Sequence, residues 1–349
     1  MSYFRAAIDA MTGYVPGEQP PPGTPIIKLN TNENPYPPSP KAVEVLRSLD
    51  SEWLRRYPDP FAKAFCQAVS EALNVPSDWI IVSNGSDELL SVLIRTCAEG
   101  ATRKVVYPTP TYVLYRTLSA MQPAQVVEIP YPDDFRLPVD ELVAAAGAIT
   151  LIASPNSPSG HQVPLAELRD LAHRSAGVVV IDEAYVDFAA TSALPLLEDC
   201  ENVILLRTLS KGYSLAGLRM GFGIAHPKLL SGLFKVKDSY NIDAIATAIG
   251  TAAMQDQAYK NACAEKVKAS RAQLRLDLKN LGFTVLDSEG NFLLATPPAG
   301  NAEFLQAALK QRGILVRYFK QPGLDDKLRI TVGTDAQNQI LLEVLTSLI

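Results

Sequence analysis

Cysteine is scarce and scattered. Cys66, Cys97, Cys200 and Cys263 are the four in 349 residues, with no C-x-x-C pair and no histidines gathered beside them. That spacing argues against a disulfide frame and a metal site, and reads as buried or half-buried thiols of a reducing compartment. Runs of basic residues are missing too. The 32 Lys and Arg are outnumbered by 37 Asp and Glu, and the net charge of −5 argues against a nucleic-acid-binding surface. No apolar run approaches the roughly 20 residues of a membrane span. The opening Met1-Ser2-Tyr3-Phe4-Arg5 leads into no apolar stretch of the signal-peptide kind. The expected address is therefore the cytoplasm, with neither membrane nor nucleic acid as a partner.

What is present is an ordinary globular balance, 47% hydrophobic and 20% charged, in a chain long enough for one large and one smaller domain. Residues 1–40 differ from the rest: nine prolines between Pro16 and Pro40 forbid regular helix through most of the stretch. Tyr14, Ile26, Ile27, Leu29 and Tyr36 would be poorly placed in solvent, so an ordered extended arm is expected there in preference to a flexible tail. Residues 41–245 alternate helical spacing (61–73, 89–97) with short apolar strands at 80–82, 104–107, 125–128, 149–153, 177–181 and 203–206. Such near-continuous apolar strands, separated by helices, predict an α/β fold of three layers, a mostly parallel sheet covered on both faces by helices. Residues 246–349 predict a smaller α+β domain. Its long helical stretch, 246–281, is broken near Asp256, and strands follow near 282–286, 291–295, 314–318 and 328–332.

Polar residues cluster just after the strand ends, where open α/β sheets bind ligands. The segment from Arg207 to Arg219 places Lys211 among Ser210, Gly212 and Ser214, eight positions before Arg219. A lysine in such a setting can act as a neutral amine that condenses with an aldehyde, and the hydroxyls and guanidinium suit a phosphate. An aldehyde bearing a phosphate is pyridoxal phosphate. Asp182 ends the strand 178–181, where a carboxylate is costly unless paired, and a protonated ring nitrogen would pair it; a helix cap is the plainer use of the same residue. Asn156, in Ser154-Pro155-Asn156-Ser157-Pro158-Ser159-Gly160, and the hydroxyl of Tyr185 can donate to a phenolate oxygen, although the Asn156 stretch also reads as a simple Pro/Gly turn. Asn84-Gly85-Ser86-Asp87-Glu88 opens a helix, whose free N–H groups form a phosphate seat. Tyr112 offers a flat face for a ring, or plain packing.

Together with Gly13-Tyr14-Val15-Pro16-Gly17, Asn30-Thr31-Asn32-Glu33-Asn34-Pro35, Arg56-Tyr57-Pro58-Asp59 and Leu328-Arg329-Ile330-Thr331-Val332-Gly333-Thr334, these motifs resemble, in order and spacing, the fold-type-I pyridoxal phosphate aminotransferases over nearly the whole chain. The resemblance implies that Lys211 bonds the cofactor aldehyde and shuttles the substrate proton. It implies Asp182 on the ring nitrogen, Asn156 and Tyr185 on the phenolic oxygen and Tyr112 stacked on the ring. The phosphate would be held by Ser86, Asp87, Ser210, Arg219 and Thr208, with Tyr57 reaching in from the second subunit of a homodimer. Arg329 would be the substrate anchor, with Arg317, Tyr14, Tyr57 and Asn156 as companions, since a guanidinium fork binds carboxylate and phosphate alike. Within that family the resemblance points to amino transfer between histidinol phosphate and 2-oxoglutarate in histidine biosynthesis. Phosphothreonine decarboxylases and aromatic amino-acid aminotransferases share most of these motifs. A ligand-sensing transcription regulator would need a basic module that the sequence does not show. A nicotinamide dehydrogenase is disfavoured because Gly221-Phe222-Gly223 lacks the third glycine of a dinucleotide loop.

Overall fold

The structure is a computed structural model that describes residues 2–13, 17–21 and 23–349. Twelve strands form two sheets among these residues. The first strand, β1 (Ile27–Leu29), lies in the segment expected as an arm and belongs to the smaller sheet. The larger sheet comprises β2 (Ile80–Ser83), β3 (Gly100–Thr109), β4 (Ala124–Pro130), β5 (Ile149–Ala153), β6 (Val178–Asp182), β7 (Val203–Thr208) and β8 (Gly221–Ala225). Its order is β2-β8-β7-β6-β5-β3-β4, and only β8 runs against its neighbours.

Side-chain alternation along the central strands explains the three layers. Ile152, Ile181 and Leu205 enter one apolar cluster, while Leu151, Val180 and Ile204, one position earlier on the same strands, enter the other. Both faces are thus buried under helices, which is why β6 and β7 are apolar without a break until Asp182 and Arg207, and why β5 carries one polar side chain, the buried Thr150. The smaller sheet adds β9 (Thr284–Val285), β10 (Phe292–Thr296), β11 (Ile314–Tyr318) and β12 (Leu328–Thr331), in the order β1-β11-β12-β10-β9. Leu29, Leu293, Val316 and Ile330 from this sheet pack on Leu274, Leu305 and Leu341 of its helices. The break expected near Asp256 separates the helix Ala244–Met254 from Gln257–Asn280.

β8 was not expected as a strand. Glycine has poor strand propensity, and Gly221 and Gly223 masked the element. Their purpose is close approach. A Cβ on Gly221 would stand 2.5 Å from the backbone nitrogen of Ser86 and 2.7 Å from the carbonyl carbon of Gly85, so a bare backbone lets β8 press against the start of the helix Gly85–Cys97. Neither obstructing atom can swing away. Gly221→Ala should therefore lower stability by about 2–3 kcal/mol in chemical denaturation, the usual cost of overpacking. Gly217→Ala, where an added Cβ meets nothing within 4 Å, should change it by less than about 0.5 kcal/mol. Equal effects at the two positions would contradict this account of β8.

Candidate active site

A cavity of about 250 Å³ opens at the C-terminal ends of β5, β6 and β7 and reaches across to β11 and β12 of the smaller sheet. One end is built to receive an anion. The helix Gly85–Cys97 starts without a side-chain cap on its N-terminal amides, and Ser86 and Asp87 of its first turn line the cavity. Gly85 has φ of +74°, and a Cβ there would stand 2.6 Å from Arg219 Nη2. Arg219 donates from Nη2 to Asp87 Oδ2 at 3.2 Å and from Nη1 to Ser210 Oγ at 3.4 Å. Thr208 Oγ1 accepts from the Ser210 amide at 3.1 Å and donates to Ser210 Oγ at 2.9 Å, which fixes the turn after β7. Five residues expected at a phosphate, from three separate segments, therefore share one corner.

Lys211 follows on the same turn. Its Nζ donates to the carbonyl of Thr31 at 3.0 Å and lies 5.8 Å from the centroid of the Tyr185 ring. Burial, then the nearby Arg329 charge, push its pKa down to about 8, against the pull of Glu33 and Asp87. Tyr185 is packed edge-on to Phe292, and its hydroxyl accepts from Asn32 Nδ2 at 2.9 Å. Burial raises its pKa, so the hydroxyl stays protonated and available as a donor.

Asp182, the last residue of β6, brings a carboxylate into the cavity wall. Its Oδ2 accepts from the Tyr115 hydroxyl at 3.0 Å and its Oδ1 from the Ala184 amide at 3.1 Å. Burial pushes the acid up to about 6, opposed by these two donors and reinforced by the Asp87 and Glu183 charges. Tyr112 lines the cavity with its hydroxyl 3.2 Å from Asp87 Oδ1. Asn156 is fully buried between the wall residues Pro155 and Ser157. Its amide nitrogen donates to the Pro110 carbonyl at 3.1 Å and to Ser159 Oγ at 2.7 Å, and its oxygen accepts from Thr111 at 2.7 Å.

The far end carries two guanidinium groups. Arg317 and Arg329 face each other in the β11–β12 register. Arg329 donates to Ser157 Oγ at 3.0 Å and to the Asn30 carbonyl at 3.1 Å, and its guanidinium lies over Phe292 and Phe319. Arg317 lies over Phe319 from 5.4 Å. One expected residue stands elsewhere, and one is not described. Tyr57 is 83% exposed and stacks on Tyr240, away from the cavity, and Tyr14 lies outside the described residues. Sequence reasoning assigned no part to Thr31, Asn32 or Tyr115. The first two sit in the polar Asn-Thr-Asn run just after β1, which was a signal; Tyr115 reads from sequence as an ordinary helix core residue.

The donor set fits pyridoxal phosphate on its own chemistry. Uncapped amides and a guanidinium suit the phosphate, a buried carboxylate suits a ring nitrogen, and a lysine of depressed pKa suits an aldehyde.

Comparison with known proteins agrees. The family model described as aminotransferase class I and II matches residues 24–345. A histidinol-phosphate aminotransferase of Nostoc sp. is 66% identical over 348 residues, covering 100% of this chain and 98% of the relative. One from Geobacter sulfurreducens is 42% identical, covering 98% of each. Among solved structures, that of histidinol-phosphate aminotransferase from Sinorhizobium meliloti in complex with pyridoxal-5'-phosphate superposes with a TM-score of 0.91 at 27% identity, covering 100% of this chain and 99% of that one.

The depressed lysine has a consequence for the cofactor-free protein. The folded Lys211 holds its proton less tightly than the unfolded side chain, whose pKa is near 10.5, so stability is reduced in full below about pH 8 and recovers as pH rises towards 10.5. Lys211→Met should therefore stabilise the cofactor-free protein at pH 7, by up to about 3 kcal/mol. The gain should fade between pH 8 and 10.5 in thermal unfolding. A gain that does not depend on pH would contradict the assigned environment.

Proposed function

The chain belongs to the class I and II aminotransferases, and from that premise we propose that it exchanges an amino group between histidinol phosphate and 2-oxoglutarate, yielding imidazole-acetol phosphate and glutamate. The observation that carries this reading is a cavity with a cationic holder at each end, Arg219 with the helix start at one and Arg317 with Arg329 at the other, and a lysine of lowered pKa between them. The first would seat the cofactor phosphate, and the second the acid group of the substrate. Both substrates must use the second holder in turn, one through a phosphate and the other through a carboxylate. A guanidinium suits that alternation because its planar fork pairs with either.

Pyridoxal phosphate supplies, when bound, an electrophilic aldehyde carbon and an electron-withdrawing ring. The residues do the rest. The backbone groups of Ser86 and Asp87, with Thr208, Ser210 and Arg219, would seat the phosphate, Tyr112 would stack on the ring, and Asp182 would keep the ring nitrogen protonated. The Tyr185 hydroxyl would donate to the phenolic oxygen, and the Asn156 amide would do so by exchanging one of its present acceptors, the Pro110 carbonyl or Ser159 Oγ. Lys211 Nζ, neutral in a large fraction near pH 8, takes up the proton from the amine-bearing carbon of the substrate and returns it during the other half of the cycle. Arg329, held by Ser157 and the Asn30 carbonyl, keeps the substrate in register with that amine.

An exposed apolar patch supports a homodimer. Tyr57, Phe61, Phe234 and Tyr240 are exposed, with Tyr57 stacked on Tyr240 and Phe61 edge-on to Phe234. In a dimer Tyr57 and the arm, including Tyr14, complete the site of the partner. The reading also places residues 1–40 as that arm, 41–245 as the cofactor-binding domain and 246–349 as a smaller domain, in a cytoplasmic enzyme. No helix among the described residues is long and apolar enough to cross a membrane.

With purified holoenzyme, histidinol phosphate should discharge the visible absorbance band of the bound cofactor and 2-oxoglutarate should restore it. Release of carbon dioxide from phosphothreonine, with no response to histidinol phosphate, would overturn the reading. Arg329→Lys should raise KM for both substrates about ten- to hundredfold, the worth of a charge-assisted hydrogen bond; a change for one substrate alone would refute the shared holder. Light scattering should give twice the 37.8 kDa chain mass, and a fully active monomer would contradict the dimer.

A further inference from the structure

Tyr115 has no part in the function proposed above, yet it touches two residues that do, Asp182 and Tyr112. It lies on the helix Leu114–Ala120, wholly buried, and its hydroxyl donates to Asp182 Oδ2 at 3.0 Å. Its ring packs edge-on against Tyr112, centroids 5.8 Å apart, and against Tyr107 at 5.9 Å. A phenol so deep in an apolar cluster is held there by packing, and its oxygen is placed by that packing rather than by solvent.

From these contacts we propose that Tyr115 is a positioning residue for the reaction: it aims the Asp182 carboxylate at the cofactor ring nitrogen, keeps that carboxylate in its ionised form, and braces the ring of Tyr112 that covers the cofactor. The proposal rests on the reading of Asp182 as the partner of that nitrogen. A donor on a carboxylate oxygen makes the carboxylate a weaker base. The proton between Asp182 and the ring nitrogen then stays on the nitrogen, and the ring keeps its electron-withdrawing form. Without the donor, that proton moves towards Asp182. The other groups facing the carboxylate favour such a shift: the charges of Asp87 and Glu183 raise its affinity for a proton, and apart from Tyr115 only the Ala184 amide donates to it among the described residues. Tyr115 cannot itself surrender its proton at working pH, because burial and the Asp182 charge hold its hydroxyl far above the usual phenol range.

The test uses holoenzyme reconstituted with cofactor labelled with nitrogen-15 in the ring, read by NMR beside steady-state kinetics. Tyr115→Phe keeps the ring and removes the donor. The ring-nitrogen signal should move from the protonated towards the unprotonated position, and kcat should fall about tenfold with KM changed less than twofold. A bulk structural role would not move the nitrogen signal. Should Tyr115→Phe fail to fold, 3-fluorotyrosine at position 115 donates more strongly at nearly the same size, and the signal should shift further towards the protonated position. Asp182→Asn is the reference. If Asp182→Asn moves the signal and neither change at Tyr115 does, the positioning role is overturned while the reading of Asp182 stands. If Asp182→Asn leaves it unmoved, both fail together.

Discussion

A lysine ammonium is costly to take out of water, and most of this site follows from doing so at Lys211. Its one hydrogen bond among the described residues goes to a carbonyl, that of Thr31, and the guanidiniums of Arg329 and Arg219 stand near enough to oppose its charge. In the proposed function those same guanidiniums hold the two anionic groups that reactants and cofactor bring. One electrostatic arrangement therefore serves two ends, since cations that hold phosphate and carboxylate also lower the proton affinity of the amine between them. Asp182 is its mirror image, a buried acid whose charge waits for a cationic partner. Neither residue is at rest in the cofactor-free fold, which is what a site prepared for a charged, covalently held cofactor requires.

The sheet arrangement supplies the convergence. Parallel β5, β6 and β7 deliver their C-terminal ends to one crevice, and antiparallel β8 brings Gly221 against Ser86 so that the helix start and Arg219 share a corner. The smaller sheet closes the opposite side with Arg317 and Arg329. β1 from the N-terminal segment joins that sheet in parallel with β11 and leaves Asn30, Thr31 and Asn32 inside the site. Those three residues contact Arg329, Lys211 and Tyr185 in turn.

Much of this was legible in the sequence, for physical reasons that can be named. The central strands announce themselves because both faces are buried, and Asp182 and Lys211 announce themselves because polar groups interrupt apolar strands at their ends. What escaped depended on partners far along the chain. The glycines of β8 make sense only beside Ser86. Tyr115 makes sense only beside Asp182, 67 positions on, and the Thr31 carbonyl only beside Lys211, 180 positions on. Tyr57 was named from the resemblance, and in the structure it stands exposed, stacked on Tyr240 and away from the cavity.

The central claim is that the amine of Lys211, held in a site that depresses its proton affinity, is the group that bonds the cofactor aldehyde. Borohydride reduction of the holoenzyme followed by peptide mass mapping tests it most directly. The account predicts a stable pyridoxyl group on the peptide containing Lys211 and loss of the visible band. A pyridoxyl group on any other lysine, or a reduced enzyme with the cofactor released intact, would contradict it.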